Sequence, residues 1–382
     1  MIVRMKKIYL LILSLFPILL LRAGSFRLLF LDNFRPEPLF MPALLNHPFT
    51  FPYWATSIFG LLNIFLIWLI AKKLFGEKVA FWVYFIYGTS PWPVYLEYGA
   101  TTSVFILWLL LLGVLGILFV RQGRKTLGNT ITLFSLVCLL CSSFLMWITL
   151  PPIIWTLHRK NLFPLIKSKL HLGLGVIFLI PALILFVTKF DGVKNIARNQ
   201  ITLFSDVGLI NNVNAFQGEN HSIRPQILAR LTENRYTYFG LHFIYSALNT
   251  LNSINYFAPQ TKIFGFSQSP ALWAGFLIPF FFGLTKILST QKGLKTWLPI
   301  SLMLFIPALL SRDTPDFSKT IIVAPIFCLL IVFGLRKLFA SKKKYLKTLG
   351  YLVVALIVIQ FLVVLADIFI REPWRLYELT KI

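Results

Sequence analysis

The stretch that decides the fold reads AKKLFGEKVAFWVYFIYGTSPWPVYLEYGATTSVFILWLLLLG and covers residues 71–113. A basic turn at residues 72–78 precedes an apolar run at 79–96, and after Glu97 a second apolar run fills residues 102–120. Runs of about 18–25 apolar residues are typical of transmembrane helices, because a helix satisfies the backbone hydrogen bonds that lipid cannot. The stretch therefore predicts two membrane-spanning helices joined by a short polar turn.

The rest of the chain repeats this pattern. Of 382 residues, 57% are hydrophobic and 16% aromatic, and the mean hydropathy is +0.78. We predict an all-α polytopic membrane protein in which residues 1–382 form one bundle of about 11 transmembrane helices, with the N-terminus in the cytoplasm and the C-terminus outside. The predicted spans are roughly 8–23, 53–71, 79–96, 102–120, 127–143, 145–157, 171–189, 271–288, 297–311, 320–338 and 348–368.

Residues 127–157 are the one ambiguous run. Pro151 and Pro152 lie within it, and proline disrupts the hydrogen bonds of a helix interior. We predict that the prolines divide the run into two short helices. A single bent helix is the alternative, and it would invert the orientation of every later span.

The net charge of +24 comes from 37 Lys and Arg against 13 Asp and Glu. The basic residues fall in short clusters at every second connection between apolar runs, which is the positive-inside pattern of membrane proteins. Such clusters can bind anionic lipid head groups, so we expect the lipid bilayer, and not nucleic acid, as a partner. The three cysteines lie inside apolar runs, and neither a disulfide framework nor a metal site is expected from them.

Two predicted outer loops are long, at residues 24–52 and 190–270. The large loop carries charged residues with aromatic residues between them. Its stretch IRPQILARLTENRYTYFG (223–240) has helical apolar spacing and could lie along the membrane surface as an amphipathic helix. The arginines of this stretch are Arg224, Arg230 and Arg235.

Charged residues gather in three predicted outer elements, which favours a reaction site at the outer interface over a path through the membrane. A carboxylate beside an apolar wall can serve as a general base, and Arg or Lys can hold a phosphate. These are the groups needed to move a sugar from a lipid phosphate carrier to a hydroxyl. They are Asp32, Arg35 and Glu37 in FLDNFRPEP (30–38), Glu97 and Tyr98 after the third span, and Arg312 and Lys319 in SRDTPDFSK (311–319).

Several motifs of other enzyme classes are missing from the sequence. It has no G-x-x-x-x-G-K-[ST] phosphate loop and no H-E-x-x-H zinc motif. No cofactor is predicted, and a requirement for a divalent metal stays open because no ligand cluster has diagnostic spacing.

The sequence resembles GT-C-type membrane glycosyltransferases, the group that includes protein mannosyltransferase-like and aminoarabinose-transferase-like enzymes. Three stretches carry the resemblance, which extends over about residues 5–340: residues 71–113 quoted above, NQITLFSDVGLINNVNAFQGENHSIRPQILARLTENRYTYFG (199–240) and SRDTPDFSKTIIVAPIFCLLIVFGLRKL (311–338). The resemblance implies a GT-C-like bundle in a bacterial inner membrane. It also implies a polyprenyl-phosphate-linked sugar as donor and a glycan, lipid or protein as acceptor.

The same resemblance implies roles for individual residues. An acid in the first outer loop acts as the base, with Glu37 preferred and Asp32 second. Arg35, Arg312 and Lys319 would neutralise the donor phosphate. The predicted acceptor-side residues are Glu97, Tyr98, Arg224, Arg230 and Arg235.

Other functions remain open. A transporter or lipid flippase is one alternative, and a catalytically silent GT-C-like scaffold in cell-surface polysaccharide assembly is another. Residues 98–102 (YGATT) stand where many bacterial members carry charged residues, which favours the scaffold. The arginines of the large loop keep open an O-antigen ligase or polymerase.

Overall fold

The computed structural model describes residues 15–20, 53–98, 101–159, 211, 213, 215, 235–258, 270–290, 298–311 and 314–366. These residues form helices and turns, and none of them is in a strand. Short 3₁₀ turns lie at Ser253–Tyr256, Ala274–Phe276 and Ile321–Val323. The α-helices are α1 (Tyr53–Phe75), α2 (Glu77–Thr89), α3 (Pro91–Tyr98), α4 (Thr102–Arg121), α5 (Lys125–Ser142), α6 (Phe144–Arg159), α7 (Arg235–Leu251), α8 (Leu277–Leu288), α9 (Leu298–Leu304), α10 (Ile306–Leu309), α11 (Phe317–Thr320), α12 (Ala324–Phe339) and α13 (Lys344–Ala366).

Five helical segments of the described chain are long and apolar enough to cross a membrane. They are Ala55–Phe75, Thr102–Arg121, Lys125–Ser142, Phe317–Phe339 and Lys344–Val363. The all-helical character of the prediction is therefore confirmed for the described ranges. The count of about 11 spans and the orientation of the termini stay predictions, and the predicted span 171–189 lies outside the described residues.

Local breaks divide two of the predicted spans, and a third break separates the two helices predicted in the run 127–157. The run 79–96 breaks at Ser90, whose extended backbone (φ −68°, ψ 142°) is the conformation that a following proline favours. The run 297–311 is likewise split into α9 and α10. The run 127–157 divides at Ser143, where the backbone is extended (φ −150°, ψ 132°). Two helices are therefore present as predicted, but the proposed cause was wrong, because Pro151 and Pro152 lie inside α6.

Close helix crossings depend on glycines. Gly123 has φ +87° and makes the tight turn between α4 and α5, a conformation that glycine adopts without strain. The two helices then pack so closely that a Cβ on Gly128 would lie 2.6 Å from Gly116 O. At the crossing of α8 and α12, a Cβ on Gly283 or Gly334 would overlap the backbone of the opposite helix. Small residues at crossings are typical of membrane helix pairs, because they let the backbones approach.

The basic turns within the described ranges lie together at one end of the bundle. Lys73 Nζ donates to Gln122 Oε1 at 2.7 Å, which joins the turn after α1 to the turn after α4. The ring of Phe75 lies 5.4 Å from that of Phe333 on α12, and Lys286 Nζ at the end of α8 lies 5.4 Å from the same ring. This grouping agrees with the positive-inside pattern.

The opposite end of the bundle is held by Trp92, which is fully buried. Its backbone N–H donates to Ala271 O at 3.0 Å, and its indole Nε1 donates to Phe317 O at 2.8 Å. Its ring lies 5.1 Å from that of Tyr256, which in turn lies 5.1 Å from that of Phe327. Aromatic pairs at these separations add to the stabilisation from burial. Trp92 thus joins α3 to the 270–276 segment and to the start of α11.

Candidate functional site

The polar cluster nearest to Trp92 is centred on Asp316. Asp316 Oδ1 accepts from the backbone N–H groups of Ser318 and Lys319, each at 3.1 Å, and from Ser318 Oγ at 2.7 Å. Its Oδ2 accepts from Ser311 Oγ at 2.7 Å. The carboxylate therefore caps α11, because it satisfies N–H groups that have no partner within the helix.

Lys319 completes this cluster, which we call the Asp316–Lys319 pair. Lys319 Nζ lies 3.2 Å from Asp316 Oδ2 and donates to Ser311 Oγ, also at 3.2 Å. The side chain of Lys319 is 18% exposed and that of Asp316 is 16% exposed. The ammonium group is thus fixed in position, and a part of the Lys319 side chain remains accessible.

The electrostatics of the pair decide the role of Asp316. Burial alone would raise the pKa of Asp316, but the Lys319 ammonium and the hydrogen bonds from Ser318 and Ser311 hold its pKa below the ordinary value. Asp316 is therefore ionised near neutral pH and engaged by five donors. A carboxylate in this state can hold the ammonium group of Lys319 in position, but it is a poor general base.

Two neighbouring groups line the same end of the bundle. Tyr256 OH donates to Thr250 O at 2.8 Å, and burial raises the pKa of its hydroxyl, so that it is a neutral donor. Ser246 Oγ on α7 donates to Leu309 O at 3.2 Å. Helix α7 thereby abuts the turn that carries the Asp316–Lys319 pair.

Glu97 lies at the far end of α3 and is 1% exposed. Its carboxyl group occupies the space above Gly60 on α1, where an added Cβ would overlap Oε1 and lie 2.8 Å from Oε2. Thr56 Oγ1 donates to the backbone oxygen of Glu97 at 3.0 Å, and Asn63 Nδ2 donates to Val104 O at 2.9 Å. A carboxyl group that is buried in this way must either be protonated or have a cationic partner.

Glu97 and the Asp316–Lys319 pair do not face each other. Trp92 and Glu97 are separated on α3 by about 7–8 Å along the axis and by about 140° around it, from ideal helix geometry. Trp92 contacts Phe317, whereas Glu97 contacts α1 at Gly60. Trp92 thus joins the helix that carries Glu97 to the segment that carries the Asp316–Lys319 pair. The charged groups themselves lie on different sides of α3.

The remaining predicted site residues are only partly described. Tyr98 ends α3 and Arg235 begins α7, but their side chains lie outside the described part. The other six residues lie wholly outside it, so their roles stay predictions: Asp32, Arg35, Glu37, Arg224, Arg230 and Arg312.

Sequence reasoning did not assign roles to Trp92, Ser311 or Ser246. The proline-flanked "PWP" at 91–93 was the available signal for Trp92, since aromatic residues with an N–H donor are common at membrane interfaces. A lone serine carries no such signal. In the described ranges, no group of three or more His, Cys, Asp or Glu could hold a metal ion.

Comparison with known proteins gave matches among solved structures alone. No known protein family matches the chain, and no curated protein matches it significantly. An oligosaccharyltransferase from Archaeoglobus fulgidus, solved with zinc and sulfate, is 13% identical with a TM-score of 0.47, and the match covers 86% of this chain and 42% of that one. The archaeal oligosaccharyltransferase AglB from the same organism, in complex with an inhibitory peptide and a dolichol-phosphate, is 13% identical with a TM-score of 0.45, over 92% and 51% of the two chains.

The present chain therefore spans about half the length of these proteins or less. At 13% identity and TM-scores of 0.47 and 0.45, these matches show neither a shared structure nor a shared activity.

Proposed function

We propose that this protein is a membrane glycosyltransferase that moves a sugar from a polyprenyl-phosphate-linked donor to an acceptor at the outer face of the membrane. The observation that carries the proposal is the fixed ammonium group of Lys319, on a partly exposed side chain beside the aromatic residues around Trp92. A lipid-linked sugar phosphate joins an anion to an apolar chain, and it needs a cation next to an apolar wall.

The polarity of the bundle supports this reading. The Asp316–Lys319 pair lies at the end opposite to the basic turns, which by the positive-inside pattern is the outer end. Lys319 would contact the donor phosphate, with Asp316 and Ser311 as the residues that position it. The sequence resemblance supplies the proposed base, Glu37 with Asp32 second, and supplies Arg35 and Arg312 as further phosphate contacts.

The test is sugar transfer by purified protein in lipid nanodiscs that contain a polyprenyl-phosphate sugar. Glu37→Gln removes the proposed base and should abolish release of the sugar without changing donor-dependent thermal stabilisation. Lys319→Ala should weaken donor binding about tenfold or more, because a charge-assisted hydrogen bond contributes about 1.5–3 kcal/mol, whereas Lys319→Arg should restore part of it. Lys343→Ala, at an exposed position of the basic end, is the matched control for loss of a positive charge.

Two results would refute the proposal. If Lys319→Ala and Lys343→Ala bind the donor equally well, Lys319 is not a phosphate contact. If wild-type protein neither binds nor cleaves any of several polyprenyl-phosphate sugars, the protein is not a glycosyltransferase of this kind.

A transporter or lipid flippase is the second candidate, and the burial of Glu97 against a candidate span favours it. Ionisable residues buried at membrane depth commonly mark transport paths. In sealed liposomes, a flippase would move a labelled polyprenyl phosphate between leaflets without release of sugar, and Glu97→Gln would slow that movement. A glycosyltransferase would release sugar whether or not the liposomes are sealed.

A further inference from the structure

Helix α7 is amphipathic, and its apolar side is the one that faces away from the bundle. Its exposed face is apolar and carries Leu241 (59% exposed), Ile244 (55%), Tyr245 (58%) and Leu248 (67%). These residues recur at intervals of three, four and seven, so that they form one stripe along the helix. Leu251, at 41% exposed, extends the stripe by one turn.

The opposite face of α7 is turned inward at Ser246 and Thr250, which are fully buried. Ser246 Oγ donates to Leu309 O at 3.2 Å. The backbone oxygens of Thr250 and Asn249 accept from Tyr256 OH and Asn255 Nδ2, each at 2.8 Å. Ser246 and Thr250 thus mark the side of α7 that attaches it to the bundle.

A continuous apolar stripe on the exposed side of a helix is typical of a surface that faces an apolar medium. A helix at a protein–water boundary buries its apolar stripe and exposes its polar one. In water, each exposed leucine or isoleucine would forfeit a part of the roughly 1.5–3 kcal/mol that full burial of such a side chain contributes. The arrangement is stable where the surroundings are themselves apolar.

The apolar stripe belongs to a helix that packs beside an apolar run predicted to cross the membrane. Helix α7 packs on α10, and the preceding helix α9 belongs to the same apolar run and has no buried residue. Leu302 on α9 is 44% exposed. Tyr236, at 88% exposed, stands at the start of α7, and tyrosine is enriched where membranes meet water.

We propose that the apolar stripe of α7 contacts the hydrocarbon of the lipid bilayer, so that α7 is a membrane-embedded wall of the candidate site. The partner is lipid, and not a second protein, because α7 packs on α10, which belongs to the apolar run 297–311 that is predicted to cross the membrane. The contact sets the depth of the Asp316–Lys319 pair, since Ser246 on the inner face of α7 abuts the turn at Ser311, whose hydroxyl contacts Lys319. The pair then lies at the boundary between lipid and water.

The test is photocrosslinking of the full chain in nanodiscs of clickable zwitterionic phospholipid, without any donor, so that the basic end has no anionic head group to bind. A benzophenone amino acid replaces Ile244 or Leu248 on the stripe, and Lys343 in the exposed basic end serves as the comparison position. We expect a several-fold excess of lipid adduct at positions 244 and 248 over position 343. Adducts with protein, or equal lipid adducts at all three positions, would overturn the proposal.

A second variant covers the case in which the protein does not fold with the large photoreactive group in place. Leu248→Asn replaces an exposed leucine with a polar residue. In water this change would leave the thermal midpoint nearly unchanged, because surface substitutions have small effects, whereas in hydrocarbon it should lower the midpoint, because an amide without partners is costly there. An unchanged midpoint in nanodiscs would contradict lipid contact. Both measurements are independent of sugar transfer, so their failure would leave the glycosyltransferase proposal standing.

Discussion

Replacement of Gly128 by alanine tests how closely α4 and α5 pack. An alanine Cβ would lie 2.6 Å from both Gly116 O and Val120 N, which is 0.8 Å inside the 3.4 Å at which ordinary contact begins. Both obstructing atoms belong to the backbone, so no rotamer change can relieve the overlap. The helices cannot easily separate either, because the tight turn at Gly123 joins them close to this point.

These distances allow an estimate of how much Gly128→Ala lowers the free energy of unfolding. Overpacking of this kind costs about 1–3 kcal/mol, while replacement of a helical glycine by alanine returns about 1 kcal/mol of helix propensity. The matched control is Gly240→Ala on α7, where nothing lies within 4 Å of the new Cβ. Both variants gain the same helix propensity, so the difference between their free energies of unfolding is the steric cost. A cost of about 2 kcal/mol would change the unfolding equilibrium by about 30-fold.

The assay is reversible unfolding by SDS in mixed micelles, followed by the circular dichroism of the helices. Gly128→Ala should unfold at a lower SDS fraction than wild type, and Gly240→Ala at an equal or higher one. Gly116→Ala combined with Gly128→Ala should cost less than the two single changes added together, because one separation of the helices relieves both overlaps. If the two single-site variants at Gly128 and Gly240 unfold alike, the close crossing of α4 and α5 is refuted.

Three further outcomes are expected. Trp92→Phe should lower the free energy of unfolding by about 1–3 kcal/mol, because the buried carbonyl of Phe317 loses its donor; SDS unfolding measures this. Asp316→Asn should remove a component of acid sensitivity: its folded-state pKa lies below the ordinary 3.8, so its stabilisation is present above that pH and is lost as the pH falls through the folded value. Melting curves below pH 5 should therefore fall less steeply for this variant than for wild type. Gly60→Ala should displace the carboxyl group of Glu97 and lower the thermal midpoint, as differential scanning fluorimetry would show.

Each of these outcomes has a matched control. Trp82→Phe changes a tryptophan that is 49% exposed and should have little effect on unfolding. Glu77→Gln removes an acid whose ion pair with Lys72 is half exposed, so its acid profile should match that of wild type. For Gly60→Ala, the combination with Glu97→Ala should restore part of the midpoint, because the obstructing carboxyl group is then absent.

The helical character of the chain was predictable because hydropathy reports on it directly. The apolar runs at 53–71 and 348–368 correspond to α1 and α13, since a helix satisfies the backbone hydrogen bonds that lipid cannot. The basic turns that the structure describes meet at one end, as the Lys73–Gln122 contact illustrates. The division of the run 127–157 into two helices was predicted, although its cause was not. The break at Ser90 was not predicted, because composition averaged over a window of about 19 residues hides a single extended residue.

The candidate site was less predictable than the fold. Lys319 and Glu97 were selected for their charge, but charge does not reveal that α3 stands between them. Their separation depends on the Gly60 contact of one and the Trp92 neighbourhood of the other. Asp316 was visible as an acid in the sequence, yet its capping role depends on five donors that the chain brings together only when α11 forms.

The hydrogen bond from Trp92 to Phe317 also bears on how the chain is made. It joins residues 225 positions apart, and ribosomes add about 5–20 residues per second. Trp92 therefore waits on the order of tens of seconds for its acceptor to be synthesised. During this interval the first helices resemble an unassembled subunit, with an unpaired indole donor and uncovered aromatic surface. A nascent chain truncated before residue 317 should therefore be a substrate for insertion chaperones and membrane proteases. The exposure ends when the late helices pack against the first ones.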